Sequence, residues 1–444
     1  MTVEISARRR REVVDALRRG TVPRSGLDVL AVGLDRLTAA VDAERTAAID
    51  GGAVFKAVRG EYGAGKTFFT RWLAERAKRQ GMAAAEVQIS ETETPLHRLE
   101  TVYRRVVENL TTEEFAPSAL RPVLDSWIFT LEEDVLAGGE IAEEDADALD
   151  AAVGVLMERR LGDIGRNAPT FAAAIRGYRA ASAASDSVTA EGLAAWLGGQ
   201  PNVAAGVRRA AGVKGELDHY TALGFLQGLL TVLRDCGHPG LLVVLDEVET
   251  LQRMRSDVRD KALNALRQLI DEIDSGRFPG LYLVITATPA FFDGVQGAQR
   301  LPPLAQRLAT DFTTDPRFDN PRAVQLRLPG FTAAGLRELG GRVRDLFVAD
   351  LPERDRIVKV VDDAYIGLLA DSVTGQLGGK VGIAPRVFLK KFVADVLDRV
   401  ELHPAFDPRR DYKLTLRAAE LTDVERNAAG LAANSVDDIE LDLP

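Results

Sequence analysis

The residues best placed to do chemistry sit in one short stretch: Gly60, then Glu61, Tyr62, Gly63 and Ala64, then Gly65-Lys66-Thr67. This is the Walker A spacing, and each part of it has a physical reason. The glycines let backbone N–H groups curl around phosphate oxygens where a Cβ would intrude. A helix opening at Phe68 adds its positive end. Lys66 reaches the β- and γ-phosphates of a nucleotide, and the Thr67 hydroxyl ligates Mg²⁺. A second constellation follows much later. Leu241-Leu-Val-Val-Leu245 is an apolar run that carries Asp246 and Glu247 to its end. Asp246 suits the Mg²⁺ hydration shell, and Glu247 suits orienting and deprotonating an attacking water. With both carboxylates present, ATP hydrolysis is expected rather than ATP binding alone.

Further along, Thr286 and Thr288 end an apolar run at the position of a polar sensor for the γ-phosphate, and either hydroxyl suits it. Arg300 and Arg307 lie in the segment after it. A planar guanidinium there suits a finger offered to a neighbouring subunit's nucleotide, and Arg307 is preferred. Arg386 stands in the first turn of a helix opening at Pro385, against the helix dipole, so a compensating anion is required; a γ-phosphate fits. The expected catalytic set is therefore Glu247, Arg307 and Arg386. The nucleotide set is Gly60 to Phe68 with Asp246, Thr286 and Thr288, and the metal set is Thr67 and Asp246.

These residues need a scaffold. A strand over Val54–Val58 leads into the phosphate loop and a helix runs from Phe68 to Gln80, the context the motif demands. Strands follow at Ala84–Ile89, Leu241–Leu245, Leu281–Ile285 and Val324–Leu328, the last stopped by Pro329-Gly330. A helix over Leu96–Leu110 and another over Val258–Ile273 supply the crossovers of a parallel sheet. Continuous apolar runs mark strands buried on both faces. Residues 1–50 read as helices, with Val13, Val14 and Leu17 on one face, then a turn over Thr21–Gly26. Residues 51–330 read as an α/β P-loop domain interrupted at about 111–217 by a helical insertion bearing Trp127 and Trp196. Residues 331–420 read as a mostly helical unit with helices over Ala333–Phe347, Asp355–Leu369 and Pro385–Val400, and 421–444 as an acidic tail that includes Asp437 and Asp438.

Composition narrows the class. With 46% hydrophobic and 27% charged residues, the chain is an ordinary globular one of two or three domains. No apolar run approaches the about 18 residues that span a bilayer. The single cysteine, Cys236, excludes an internal disulfide and fits the cytoplasm. A net charge of −10 argues against wholesale wrapping of nucleic acid. DNA contact must therefore come from a local patch. Lys380–Arg417 is the best one, with nine basic residues against five acidic; Arg8–Arg11 is the other.

Several segments together resemble one family. Arg59-Gly-Glu-Tyr-Gly-Ala-Gly-Lys-Thr-Phe-Phe69, Asp246-Glu-Val-Glu249, Ile285-Thr-Ala-Thr-Pro289, Ala16–Pro23 and Phe406–Tyr412 are similar to the ATP-binding protein D of BREX phage-defence systems. The resemblance covers residues 10–420. It implies an AAA+ core akin to origin-recognition and STAND ATPases, a winged-helix-like C-terminal part, and service in a bacterial anti-phage system beside a helicase and a DNA methyltransferase. Three readings share this phosphate chemistry: a DNA-associated motor or switch that assembles as a homo-oligomer on ATP, a STAND-like regulator with slow turnover, and a DNA-binding initiator or adaptor that recruits a helicase or another enzyme.

Overall fold

A computed structural model of the chain describes residues 5–141, 145–328, 330–379, 382 and 384–430. Glu143, Glu144, Pro329, Lys380 and positions 431–444 of the expected tail lie outside the described residues. The sheet has five parallel strands: β1 (Val54–Arg59), β2 (Ala83–Gln88), β3 (Leu241–Asp246), β4 (Leu281–Ala287) and β5 (Gln325–Arg327). Their spatial order is β2-β3-β4-β1-β5. β4 therefore stands between the strand that feeds the phosphate loop and the strand that ends in Asp246. The register levels the C-terminal tips. Val58 lies opposite Thr286, Ile285 opposite Leu245, and Gln88 opposite Asp246.

Alternation along each strand builds two cores. Val58, Ala84, Leu242, Val244, Tyr282 and Val284 face the helices Asp35–Ile49 and Lys66–Lys78. Ala57, Ala85, Val243, Leu245, Leu283 and Ile285 face the other way, onto a larger helical layer. That layer contains the expected insertion, whose helices share one continuous core with the sheet. Phe225 is its hub, with edge-on ring contacts to Tyr103 at 5.8 Å, Phe171 at 5.1 Å and Trp196 at 5.3 Å. Phe225 belongs to the helix Ala222–Asp235, which the sequence did not announce. A Cβ on its Gly228 would meet the Phe171 ring at 2.6 Å, so close packing accounts for the glycine. Trp127 and Trp196 are both core, as expected of them.

A separate helical core follows the sheet. The helices Ala333–Val348, Asp363–Gln376 and Ala384–Lys390 pack through Leu339, Val343, Ile366, Val373 and Phe388. The N-terminal helix Ala7–Arg18 joins this core through Val13, Val14 and Leu17, and Arg18 binds Asp398 at 2.7 and 2.8 Å. The first fifty residues are thus shared out: the first helix packs on the C-terminal unit and the second on the sheet. The helix expected over Pro385–Val400 is α only to Lys390. A π-helical stretch occupies Lys391–Leu397 and a short α-helix, Asp398–Leu402, follows. After residue 330 every regular element among the described residues is a helix. No described helix is long and apolar enough to cross a membrane.

Phe225→Ala removes the shared contact of three aromatic rings. It is expected to cost about 3–5 kcal/mol in denaturant unfolding, the range for emptying a buried aromatic site.

Candidate functional site

The phosphate loop has the backbone its motif requires. Gly63 and Gly65 sit at φ +82 and +86, in the left-handed region. The Gly60 N–H donates to the Ala287 carbonyl at 3.1 Å, which seats the loop against the tip of β4. A Cβ on Gly60 would come within 3.3 Å of Ala64 and Lys66. The helix Lys66–Lys78 begins at Gly65 without a side-chain cap, so the N–H groups of its first turn remain for a ligand. Those two observations are the test of fit for a triphosphate, and the loop meets it. Lys66 is buried rather than exposed as a loop lysine would be. Its Nζ donates to the Gly60 carbonyl at 2.9 Å and lies 3.6 Å from the Glu249 carboxylate.

Asp246 gathers the polar residues. The Thr67 hydroxyl donates to its Oδ2 at 3.3 Å, the Thr286 hydroxyl donates to its Oδ1, and the Glu247 N–H donates to Oδ1 at 3.0 Å. Thr67 and Asp246 thus form the pair suited to a hydrated divalent cation. Of the two sensor threonines, Thr286 is the one that touches Asp246. Thr288 is buried at the start of the helix Pro289–Asp293 and makes no side-chain cap bond there. Glu247 adopts φ +58, ψ +40, left-handed backbone that costs a non-glycine residue roughly 1–2 kcal/mol. Its Oε2 accepts from the Gln88 amide at 2.9 Å.

Around these groups lies a cavity of about 340 Å³. One end is polar, with Lys66, Thr67, Asp246, Glu247 and Glu249. The other is apolar, with Leu17, Val22, Pro23, Leu30, Leu339 and Leu389. A polar phosphate end and an apolar base end suit a nucleotide. The Thr21–Pro23 turn is tied to the phosphate-loop helix by Arg71, which donates to the Val22 carbonyl at 2.7 Å. Glu75 on the same helix accepts from the Gly26 and Leu27 N–H groups, each at 2.8 Å. Gln88, Glu249 and the Thr21–Pro23 wall are site residues that motif reasoning missed. Only the strand register brings Gln88 into line, and Glu249 entered the sequence reading only as a letter of the Asp246–Glu249 segment, with no role assigned to it.

The arginines are occupied. Arg386 lines the cavity, but the anion that offsets the helix dipole is Glu425, bound in a two-pronged ion pair, with the Glu420 carbonyl at 2.9 Å. Hydrogen bonding to Glu425 raises the Arg386 pKa, against the burial that lowers it. Arg307 pairs with Asp271 and Asp274, and Arg300 with Asp260. Neither lines the cavity. In the basic stretch, Lys391 is buried between Asp395 at 3.3 Å and Glu420 at 2.8 Å rather than solvating a helix face. Arg399, Arg409 and Arg410 also have carboxylate partners. Cys236 is half-buried, and burial pushes its thiol up to about 12, far from a reactive thiolate.

Arg386→Ala leaves the buried Glu425 without its cation. It is expected to destabilise the chain by about 2–3 kcal/mol in thermal or denaturant unfolding without any nucleotide, the cost of orphaning one partner of such a pair.

No curated protein and no solved structure matches this chain. A family model does: the one described as BREX system ATP-binding protein BrxC/D matches residues 5–416, and the chain belongs to that family.

Proposed function

We propose that the chain is an AAA+ ATPase that binds ATP with Mg²⁺ and hydrolyses it in a bacterial anti-phage system. One observation carries this reading: Thr67, Asp246, Thr286 and Glu247 meet in a single hydrogen-bonded cluster beside an uncapped phosphate loop. Lys66 and the N–H groups of the loop hold the phosphates, while Thr67 and Asp246 hold Mg²⁺, which screens the phosphate charge when bound. Glu247 orients a water and accepts its proton. Thr286 fixes the Asp246 carboxylate and receives the Glu247 N–H at 3.2 Å, so the metal ligand and the base are held by one hydroxyl. The apolar end of the cavity takes the base. The strand order, with a sensor strand between the two Walker strands, supports the AAA+ assignment.

Arg307 acts in trans in this reading, which requires a homo-oligomer and exchange of its Asp271 and Asp274 contacts for a neighbour's phosphate. DNA association and a helicase partner follow from the family context, in the cytoplasm. Support for direct DNA contact is narrower than the charge count implied, because among the described basic residues of 380–417 only Lys390, Lys413 and Arg417 make no ion pair with described residues. A second reading, a switch with slow turnover, draws on one observation: the Gln88 amide holds the Glu247 carboxylate, the group that must be free to accept a proton.

Glu247→Gln separates binding from chemistry. It is expected to retain ATP while turnover falls by about 10²–10⁴-fold, the usual contribution of a positioned base. The check is phosphate release alongside equilibrium ATP binding. Normal turnover in this variant would refute the assignment of Glu247.

A further inference from the structure

Glu249 is buried, with 5% of its surface exposed, and neither of its carboxylate oxygens has a hydrogen-bond partner. Burying a carboxylate this way is costly unless a cation lies close. The cation is Lys66, whose Nζ stands 3.6 Å from Oε1 and is itself 9% exposed. Both side chains line the cavity together with Thr67, Asp246 and Glu247. The position is built into the fold. Glu249 lies on a short 3-10 helix, Val248–Arg253, pinned by the fully buried Val248 and Leu251. Burial pushes the Glu249 carboxyl above the ordinary carboxylate range, and the Lys66 ammonium pulls it back.

Resting on the nucleotide reading above, we infer that Glu249 is the resident counter-ion of Lys66: it holds the lysine in place while the phosphate site is empty and competes with the phosphates for it. Lys66 has one charge to give. When it turns to the β- and γ-phosphates, Glu249 loses its one ion-pair partner among the described residues, in a cavity that already contains Asp246 and Glu247. Binding of a triphosphate is therefore weakened by the work of separating the pair, and phosphate departure is assisted by its re-formation. Glu249 touches neither water nor phosphate in this scheme; it is a positioning residue that acts through Lys66.

The experiment titrates wild type and Glu249→Gln with a fluorescent ATP analogue and Mg²⁺, and follows release by displacement with excess ATP. Glu249→Gln removes the charge but keeps the shape, and its Kd is expected to fall by roughly five- to a thousandfold with slower release, the span for one opposing charge at this range between a water-like and a partly buried setting. Without nucleotide, Lys66→Met combined with Glu249→Gln should melt above Lys66→Met alone, because the orphaned charge is gone, an outcome that a purely structural glutamate would not produce. Equal Kd and release rate in wild type and Glu249→Gln would overturn the inference while leaving the nucleotide reading intact. Failure of wild type to bind the analogue would overturn that reading, and the inference with it. Thermal unfolding without nucleotide covers a Glu249→Gln protein that does not fold. Lys66→Met alone should melt several degrees below wild type, because it orphans the buried Glu249. An unchanged melting midpoint would overturn the inference.

Discussion

Asp246 is the point on which the site depends, because three different segments satisfy its two oxygens. Thr67 comes from the helix after β1, Thr286 from the end of β4, and the Glu247 N–H from its own strand. That convergence is possible only with β4 between β1 and β3, at a register that sets Val58 against Thr286 and Ile285 against Leu245. A slip of one residue in β4 would point Thr286 to the opposite face, since side chains alternate along a strand. The buried faces forbid the slip, because it would also move Tyr282 and Val284 out of one core and Leu283 and Ile285 out of the other. Core packing on both sides of the sheet thus fixes the geometry of a hydroxyl-to-carboxylate contact at its edge.

What the sequence revealed of this arrangement was local in the chain. The phosphate loop and the Asp246-Glu247 pair are contiguous motifs, and the residue types in them are dictated by backbone clearance and charge. The strands that carry them are apolar runs, as strands buried on both faces must be. Non-local facts stayed hidden. The choice between Thr286 and Thr288 depends on which one reaches a carboxylate 40 positions away, and the partner of Arg386 is a glutamate 39 positions later. A charge count cannot see pairing, which is why Lys391 counted toward a DNA-contact patch although Asp395 and Glu420 enclose it. The helix Ala222–Asp235 went unread, and its Gly228 is explained only by a non-local contact, the Phe171 ring that a Cβ would strike. Glu249 was visible as a letter in the motif, but its role comes from burial, and nothing in the order of residues states that its oxygens lack partners.

The cavity also explains why the N-terminal helix leaves its sequence neighbours. Its polar end belongs to the sheet: Lys66, Thr67, Asp246 and Glu247 all stand at the strand tips. Its apolar end belongs to the helical unit, where Leu17, Leu339 and Leu389 come from the core shared by the first helix and the C-terminal helices. Two stretches of chain connect the bodies: the short passage from β5 to the helix Ala333–Val348, and the segment from Gly20 to Leu30. Asp28 accepts from the Trp72 indole at 2.7 Å and pairs with Arg76 and Arg79, while Glu75 holds the backbone of Gly26 and Leu27. Three of those partners lie on the phosphate-loop helix, and the fourth, Arg79, caps its C-terminal end. Phe68, from the first turn of that helix, packs against both cores.

A ligand that fills this cavity therefore touches both bodies at once, with its charged part on one and its apolar part on the other. Any change in the phosphates acts on Lys66 and Asp246, at the tips of the sheet. Its consequence for the helical unit can pass through the ligand itself, Phe68, the passage from β5 to the helix Ala333–Val348, or the Gly20–Leu30 segment. The ion pairs that seat this segment lie 14–39% exposed and are weak singly, but they share Asp28 and so act as a network. The helical unit is held more firmly from within, by Arg18 on Asp398 and Arg386 on the buried Glu425. Two bodies, each with its own core, that meet around one cavity are the arrangement in which occupancy of that cavity can bias how they pack together.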